Sequence, residues 1–143
     1  MNYTLMSRGS MDILEIRDSN LDLLALVIRA NAKADGVHFL TEPEKEMQLG
    51  LMTRGVNEPV QLHKHNSVSR NILGTQEVLL IRSGRAKVSV WGEDFETNHV
   101  FTLEKGDVVL LLKGAHQIEF LETTELLEIK QGPYIAHLDK TYL

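Results

Sequence analysis

Residues 76–91 (QEVLLIRSGRAKVSVW) decide the fold of this chain. Ala86, Val88 and Val90 alternate with polar residues, and this period of two is typical of a β-strand with one buried face. The Ser-Gly pair in the middle of the stretch is a turn signal. The stretch therefore predicts two strands joined by a turn.

Turn signals recur after about residue 45 and divide the chain into short segments rich in aliphatic and β-branched residues. One of these segments also alternates with period two, since Met47, Leu49 and Leu51 share a face. A series of such strands has edges that must be hidden, and a closed barrel or a two-sheet jelly roll hides them. We therefore predict an all-β fold, with further turns at Arg54-Gly55, Trp91-Gly92-Glu93-Asp94 and Lys105-Gly106-Asp107.

Residues 21–34 (LDLLALVIRANAKA) fit this pattern less clearly. They are rich in helix formers, and Ser19 and Asn20 before them are residue types that cap helices. The centre of the segment, residues 24–29, also suits a strand that is buried on both faces, and tertiary context often overrides helix propensity. We predict a strand here, with a helix as the alternative.

Composition and charge exclude several classes of protein. The chain has 143 residues, of which 43% are hydrophobic and 24% charged, and these values are typical of a folded globular protein. The net charge of -5, with Lys and Arg scattered singly, argues against a nucleic-acid binder. The absence of cysteine excludes disulfides, thiolate catalysis and sulfur-ligated metals. Any metal ion must therefore use nitrogen and oxygen ligands.

The sequence shows no sign of membrane insertion or of internal division. No apolar run approaches the roughly 18 residues of a membrane span, and no long apolar stretch near the N-terminus indicates a signal peptide. We expect a cytoplasmic protein without a membrane partner. Residues 1–11 show little pattern and predict an N-terminal arm, whereas no linker or repeat divides residues 12–143, which we predict to be a single domain.

His63-Lys64-His65 is the most informative motif for chemistry. On a strand, side chains two positions apart project to the same face, where both imidazoles can reach one metal ion. The alternative is a pair of exposed strand residues, because Val60 and Leu62 would lie on the opposite, apolar face. A polar pocket inside the barrel would reverse that assignment.

Glu77 and His116 indicate such a pocket. Glu77 shares a face with Leu79 and Ile81, and an inward carboxylate is costly unless it is paired or binds a metal ion. His116 lies on the same side of its predicted strand as Ile118. The alternative interpretations are a Glu at an exposed strand end and a satisfied core histidine.

Together these residues resemble the metal ligands of the cupin superfamily, whose first motif combines His-x-His with a Glu and, after six further residues, a Gly. Glu77 and Gly84 have this spacing, and residues 106–116 echo the second motif and end on the fourth ligand. The resemblance implies a double-stranded β-helix, a jelly-roll barrel of the cupin type. It also implies one metal ion bound by His63, His65, Glu77 and His116.

The sequence departs from the family pattern at three points. Residues 66–76 make the interval between the two halves of the first motif longer than usual, which predicts an outward loop between two strands. Leu112 stands in place of the usual proline, and only one residue separates Gly114 from His116 where the pattern has two. The loop is the largest of these departures, and we expect it to lie where it could cover the site.

From about residue 12 onward the chain is also similar to a group of single-domain cupins associated with surface-polysaccharide and nucleotide-sugar gene clusters. The shared features are a His-x-His-Asn start, the segment 75–79 (TQEVL) and the tail 130–134 (KQGPY). This resemblance implies a small polar ligand such as a sugar or sugar nucleotide. It implies no particular reaction.

Three imidazoles and one carboxylate would leave at least one position on the ion open for a ligand. This ligand set suits divalent Fe, Mn, Ni, Co or Zn and does not distinguish among them. Three further residues are candidates for contact with the ligand. Gln61 shares the histidine face, Arg70 is a loop guanidinium suited to an anion, and Tyr134 could line the mouth of the site. The alternatives are a solvated loop Arg70 and a Tyr134 that packs the tail.

Three functions are open at this stage. The first is a metal-dependent enzyme acting on a small polar molecule, and the second is a metal-independent sugar-nucleotide isomerase or epimerase with His63 or His65 as general acid or base. The third is a non-catalytic module that binds a small ligand through the ion. Val78 and Leu80 suggest an apolar outer sheet face opposite Glu77, so we also expect a homodimer.

Overall fold

The computed structural model describes residues 12–96 and 98–143, so the predicted N-terminal arm, residues 1–11, lies outside the described residues. All regular structure in these ranges is strand, which confirms the predicted all-β class, and no helix there is long and apolar enough to cross a membrane. The strands are β1 (Ile13–Arg17), β2 (Leu23–Ile28), β3 (Val37–Phe39), β4 (Gly50–Met52), β5 (Glu77–Ser83), β6 (Arg85–Trp91), β7 (Asn98–Glu104), β8 (Val108–Leu111), β9 (Ala115–Phe120) and β10 (Glu125–Lys130).

The described residues form two compact units. Residues 33–73 make up the smaller one, the hairpin unit, in which β3 and β4 pair antiparallel. Residues 12–32 and 74–143, leaving Thr97 aside, make up the sandwich unit, which contains all the other strands described. The single domain expected over residues 12–143 stays a prediction.

Two antiparallel sheets build the sandwich unit. One has five strands in the order β1-β2-β8-β5-β10, and the other has three strands in the order β7-β6-β9. Each pair of neighbours is antiparallel. Within the described residues no strand pairing joins the two sheets, so these strands form an open sandwich and not a closed barrel.

Apolar side chains from the inner faces of both sheets form one core. From β5 the alternation directs Leu79 and Ile81 inward, with 3% and 1% of their surface exposed. From β6 it directs Ala86, Val88 and Val90 inward, and all three are buried. Burying a large aliphatic side chain of this kind contributes about 1.5–3 kcal/mol. The alternation predicted for these two strands is confirmed, and it fixes which residues can face the space between the sheets.

Strand β2 confirms the strand predicted within residues 21–34. Every residue of β2 after Leu23 is buried, and β2 pairs with β1 on one side and with β8 on the other. The helix alternative is wrong. Helix propensity differs by only a few tenths of a kcal/mol between most residue types, whereas a central strand buries both of its faces and pairs its backbone on both sides.

The hairpin unit departs further from the prediction. Met47, Leu49 and Leu51 are half-buried and the residues between them are exposed, so their alternation is confirmed, but only Gly50–Met52 is strand. The strand predicted through His63 and His65 is wrong, because residues 53–76 contain no strand. A strand exists only where a neighbour pairs with its backbone, and a short alternating pattern does not supply that neighbour.

Glycines of the two motif-like segments occupy positions that only glycine fits. Gly84 and Gly114 both have φ +81°, in the left-handed region that side chains disfavour. A Cβ on Gly84 would overlap the carbonyl oxygen of Thr123, and one on Gly114 would overlap the carbonyl oxygen of Trp91. Gly114 lies two residues before His116. It thus allows β9 to begin at Ala115, directly beside Trp91 at the end of β6.

Replacing Gly114 by Ala is expected to destabilise the chain by at least about 2 kcal/mol, the sum of left-handed backbone strain and displacement of a neighbouring carbonyl. Gly74 is the matched control, since a Cβ there meets nothing within 4 Å. Chemical denaturation of both variants measures the difference. Equal midpoints for Gly114→Ala and Gly74→Ala would contradict the assigned role of Gly114.

Candidate metal centre

Glu77 is the first residue of β5 and faces the inside of the sandwich. Only 8% of the residue is exposed, and Leu79 and Ile81 follow it on the same buried face. Its cross-strand neighbours are Leu111 on β8 and Lys130 on β10. The alternative of a carboxylate at an exposed strand end is wrong. A carboxylate buried this far needs partners, because removing it from water costs several kcal/mol if it stays charged and unpaired.

His116 reaches Glu77 from the opposite sheet. It is paired with Val90 of β6, so its side chain leaves β9 on the side that carries the core. Its Nε2 lies 3.3 Å from Oε2 of Glu77, and 33% of the histidine side chain is exposed against 10% of the glutamate side chain. The structure therefore brings together these two predicted ligands. Between them a nitrogen and a carboxylate oxygen face one another across the two sheets.

The neighbours of the Glu77 carboxylate lower its pKa. The hydrogen bond from His116 lowers the pKa of Glu77 most, and the charges of His116, Lys140 and Lys130 lower it further, whereas burial opposes them by raising it. The pKa of Glu77 is lowered overall, so its carboxylate is ionised at neutral pH. An ionised, buried carboxylate beside an imidazole is the state that a divalent cation requires of its ligands.

The amine of Lys130 lies close to the Glu77 carboxylate. Its Nζ lies 3.9 Å from Oε1 of Glu77 and 3.3 Å from the Glu128 carboxylate. The pKa of Lys130 is raised, first by the hydrogen bond to Glu128 and also by the negative charge of Glu77, so its amine carries a full positive charge at neutral pH. Tyr134 covers this amine, with its ring centroid 5.8 Å from Nζ.

The side chain of Gln131 contacts the chain just before β5, at the same end as Glu77. Its Oε1 accepts a hydrogen bond of 2.6 Å from the backbone N–H of Gln76, the residue before Glu77. Its Nε2 is buried and has no hydrogen-bond partner among the described residues. A buried donor of this kind costs about 1–3 kcal/mol unless a water or a ligand accepts from it.

His63 and His65 lie in the hairpin unit, both exposed, with ring centroids 5.2 Å apart. Nδ1 of His63 lies 2.8 Å from the carbonyl oxygen of Gln61, and because a carbonyl only accepts, Nδ1 carries the proton. In the neutral ring this places the lone pair on Nε2, the nitrogen that would then bind a metal ion. Gln61 contacts His63 through its backbone carbonyl, and its side chain is exposed.

The predicted site residues therefore appear as two pairs, one in each unit. No group of three or more His, Asp or Glu side chains converges as a metal site within residues 12–96 and 98–143. Arg70 is exposed and its Nη1 lies 3.4 Å from the carbonyl oxygen of Val68. Tyr134 is 66% exposed and lies against Lys130, beside the Glu77 pair.

Lys130 is a residue that sequence reasoning missed. The signal was present, since Lys130 opens the tail segment KQGPY that carries part of the family resemblance. Its inward direction was not readable, because the strand before it contains two adjacent leucines and the register shifts between Glu125 and Leu126. Only the pairing with β5 shows that Lys130 stands opposite Glu77.

Comparisons with known proteins add nothing to this geometry. The chain matched no protein-family model, no curated protein and no solved structure.

Proposed function

We propose that this chain is a cupin-type protein that holds one divalent transition-metal ion with His63, His65, Glu77 and His116 and uses it to bind or transform a small polar ligand. The observation that carries the proposal is the pair formed by Glu77 and His116, 3.3 Å apart across the sandwich. The carboxylate is buried and ionised. Burying a charge costs free energy, and binding of a cation offsets this cost.

The path of the chain through the sheets supports the jelly-roll part of the proposal. Strand β5 pairs with β8 in one sheet, whereas the hairpin β6–β7 between them lies in the other. Strands β9 and β10 then add to β6 and β5 respectively. A chain that wraps alternately between two sheets in this way is what a jelly roll requires.

His63 and His65 are the two remaining ligands that we propose. His63 has its lone pair on Nε2, and the rings of His63 and His65 are close enough for both to reach one ion. With these imidazoles added to Glu77 and His116, the ion keeps an open position for a ligand oxygen. Fe, Mn, Ni, Co and Zn all accept such a set, and the class of ligand that we propose is a sugar or sugar nucleotide.

The chemistry that the ion supplies when bound is Lewis-acid polarisation of a ligand oxygen. A metal-independent isomerase or epimerase is the second candidate, favoured by the observation that Nδ1 of the exposed His63 donates to the carbonyl oxygen of Gln61, which leaves Nε2 as the nitrogen for acid or base chemistry. A screen of nucleotide sugars with and without chelator separates the two. A non-catalytic module would give saturable binding without turnover in the same screen.

Metal content tests the proposal first. Protein purified without a polyhistidine tag is expected to contain close to one equivalent of a transition metal, and the paired substitution of His63 and His65 by Ala is expected to lose it. The control is His99→Ala, since His99 contacts the backbone oxygen of Arg17 and takes no part in the site. A chain that binds no transition metal, either as purified or after reloading, would contradict the proposal.

Metal affinity is also expected to fall as the pH drops below about 6, because ligating imidazoles must be neutral and histidine ordinarily titrates near 6.5. Glu77 does not contribute to this loss, since its pKa lies below the ordinary value of 4.5. Metal titrations between pH 8 and pH 4.5 measure the effect. Constant affinity down to pH 4.5 would exclude histidine ligation.

The homodimer expected from the sequence stays a proposal. Val78 and Leu80 are half-buried on the outer face of β5. Leu127 and Ile129 on the neighbouring strand β10 are 48% and 54% exposed. An apolar strip of this kind on the outside of a sheet is suited to pairing with a second copy of the chain.

A further inference from the structure

Lys130 lies at the end of β10, beside the buried carboxylate of Glu77. It is the direct cross-strand partner of Glu77 and leaves β10 on the same face as that buried carboxylate. Its side chain is 26% exposed, and its Nζ lies 3.9 Å from Oε1 of Glu77. The exposed Tyr134 ring lies over the amine. The amine therefore borders both the buried pair and solvent.

The proposed metal ion makes this position unusual. When a divalent cation binds Glu77, a second positive charge remains within a few ångströms of it, and like charges in a partly buried site repel strongly. Glu128, at 3.3 Å, offsets part of the lysine charge but is itself 40% exposed. An anionic group that lies between the ion and the amine would remove the repulsion and satisfy both cations.

We propose that Lys130 anchors an oxyanion of the ligand, a carboxylate or a phosphate, whose neighbouring oxygen binds the metal ion. This inference rests on the proposed metal function and names the chemical class of its ligand, which is a small molecule with a negative charge close to a metal-binding oxygen. Lys130 thus acts as a binding residue for the ligand and not as a metal ligand. The competing interpretation is a lysine that only balances the charges of Glu77 and Glu128.

Oxyanion and neutral ligands distinguish these two roles. We would load the full chain with Co(II) and titrate oxalate, inorganic phosphate and imidazole at pH 8, following the visible Co(II) spectrum. Imidazole is neutral at this pH and binds the metal without needing a cation beside it. In Lys130→Met the affinity for oxalate and phosphate is expected to fall by about tenfold or more, as for loss of one charge-assisted hydrogen bond, with imidazole affinity unchanged.

Two variants make the comparison specific. Lys130→Arg keeps the charge and is expected to recover much of the oxyanion affinity. Lys113→Met removes a more exposed lysine, whose Nζ lies 2.8 Å from Asp22 on the surface, and it should leave all three affinities unchanged. Because a nearby positive charge is removed, the affinity of Lys130→Met for Co(II) should not fall.

Each remaining outcome has a definite meaning. Equal losses for oxalate, phosphate and imidazole in Lys130→Met, or a lower affinity for Co(II), would overturn the inference, because the lysine would then support the site as a whole and not the oxyanion. If the wild-type chain takes up no Co(II), the proposed function is wrong, and phosphate titrated into the metal-free protein decides the inference separately. Phosphate binding that Lys130→Met weakens would support the oxyanion contact of Lys130 without the metal ion, and no such binding would overturn it.

Discussion

Replacing Glu77 by Gln is expected to lower the affinity of the chain for a divalent metal ion by at least about 100-fold. Loss of a group that merely orients a metal ligand costs 10–100-fold, so removal of the only proposed anionic ligand should cost more. Glutamine has the same shape as glutamate. Its amide can still form a hydrogen bond with His116, whose Nε2 lies 3.3 Å from Oε2 of Glu77 in the structure. The change therefore removes the charge while it keeps the shape of the site.

The fold is expected to survive this substitution. Glu77 begins β5, and its buried neighbours Leu79 and Ile81 are unaffected. Glu119→Gln is the matched control, since Glu119 lies on β9 near His116 but pairs with Lys87 at 2.6 Å on the opposite face. Mass spectrometry and metal titration of both variants give the result. If Glu77→Gln keeps full metal affinity, Glu77 is not a ligand.

The acid sensitivity of the metal-free chain has a different origin from that of metal binding. The pKa of Glu77 is lowered in the folded state, chiefly by the hydrogen bond from His116. Its contribution to stability is therefore present above the unfolded value and is lost as the pH falls through the folded value, below 4.5. Loss of metal near pH 6 and loss of this contribution below pH 4.5 should appear as two separate events.

Local alternation was sufficient to predict the inward residues of β5 and β6. Leu79, Ile81 and Val88 recur with a period of two, and a sheet with one buried face leaves them no other arrangement. The inward direction of Glu77 followed from the same pattern and was confirmed. Residues 21–34 show the opposite case. Their composition favours a helix, and β2 forms because β1 and β8 pair with it on both sides.

What the sequence could not supply was pairing between distant segments. His63 and His65 look alike whether or not a strand runs through them, because the alternation of two residues carries no information about a ladder partner. The meeting of Glu77 with His116 at 3.3 Å, and of Glu77 with Lys130 at 3.9 Å, depends on which strands lie side by side. Sequence patterns therefore predicted the direction of individual side chains better than the groups around them.

Asp107 is a second residue whose importance only the fold reveals. In the sequence it closes a Lys-Gly-Asp turn and has no visible partner. In the structure it is 5% exposed and accepts hydrogen bonds from the backbone N–H groups of Ala30 and Glu104, at 2.8 and 2.9 Å. Arg29 adds a charged hydrogen bond of 2.8 Å, so one carboxylate ties the end of β2 to the turn before β8.

Replacing Asp107 by Ala is accordingly expected to destabilise the chain by about 3 kcal/mol. Removing one partner of a buried ion pair costs about 3–5 kcal/mol, and the lower figure applies because the side chain of Arg29 is 27% exposed and regains some water. For a chain of this length the loss corresponds to a fall in melting temperature of roughly 10 °C. Asp107→Asn keeps one acceptor and should fall between the wild type and Asp107→Ala.

Asp22→Ala is the control that separates the effect of burial on stability from the effect of the length of the ion pair. Asp22 also contacts Lys113 at 2.8 Å, but its side chain is 54% exposed, and an ion pair at the surface contributes little because solvent screens both charges. Thermal and chemical denaturation should therefore show a large loss of stability for Asp107→Ala and a small one for Asp22→Ala, although the two ion pairs have equal length. Equal destabilisation of the two variants would mean that Asp107 does not anchor the turn, and that Gly106 and the backbone bonds between Ile81 and this turn hold it instead.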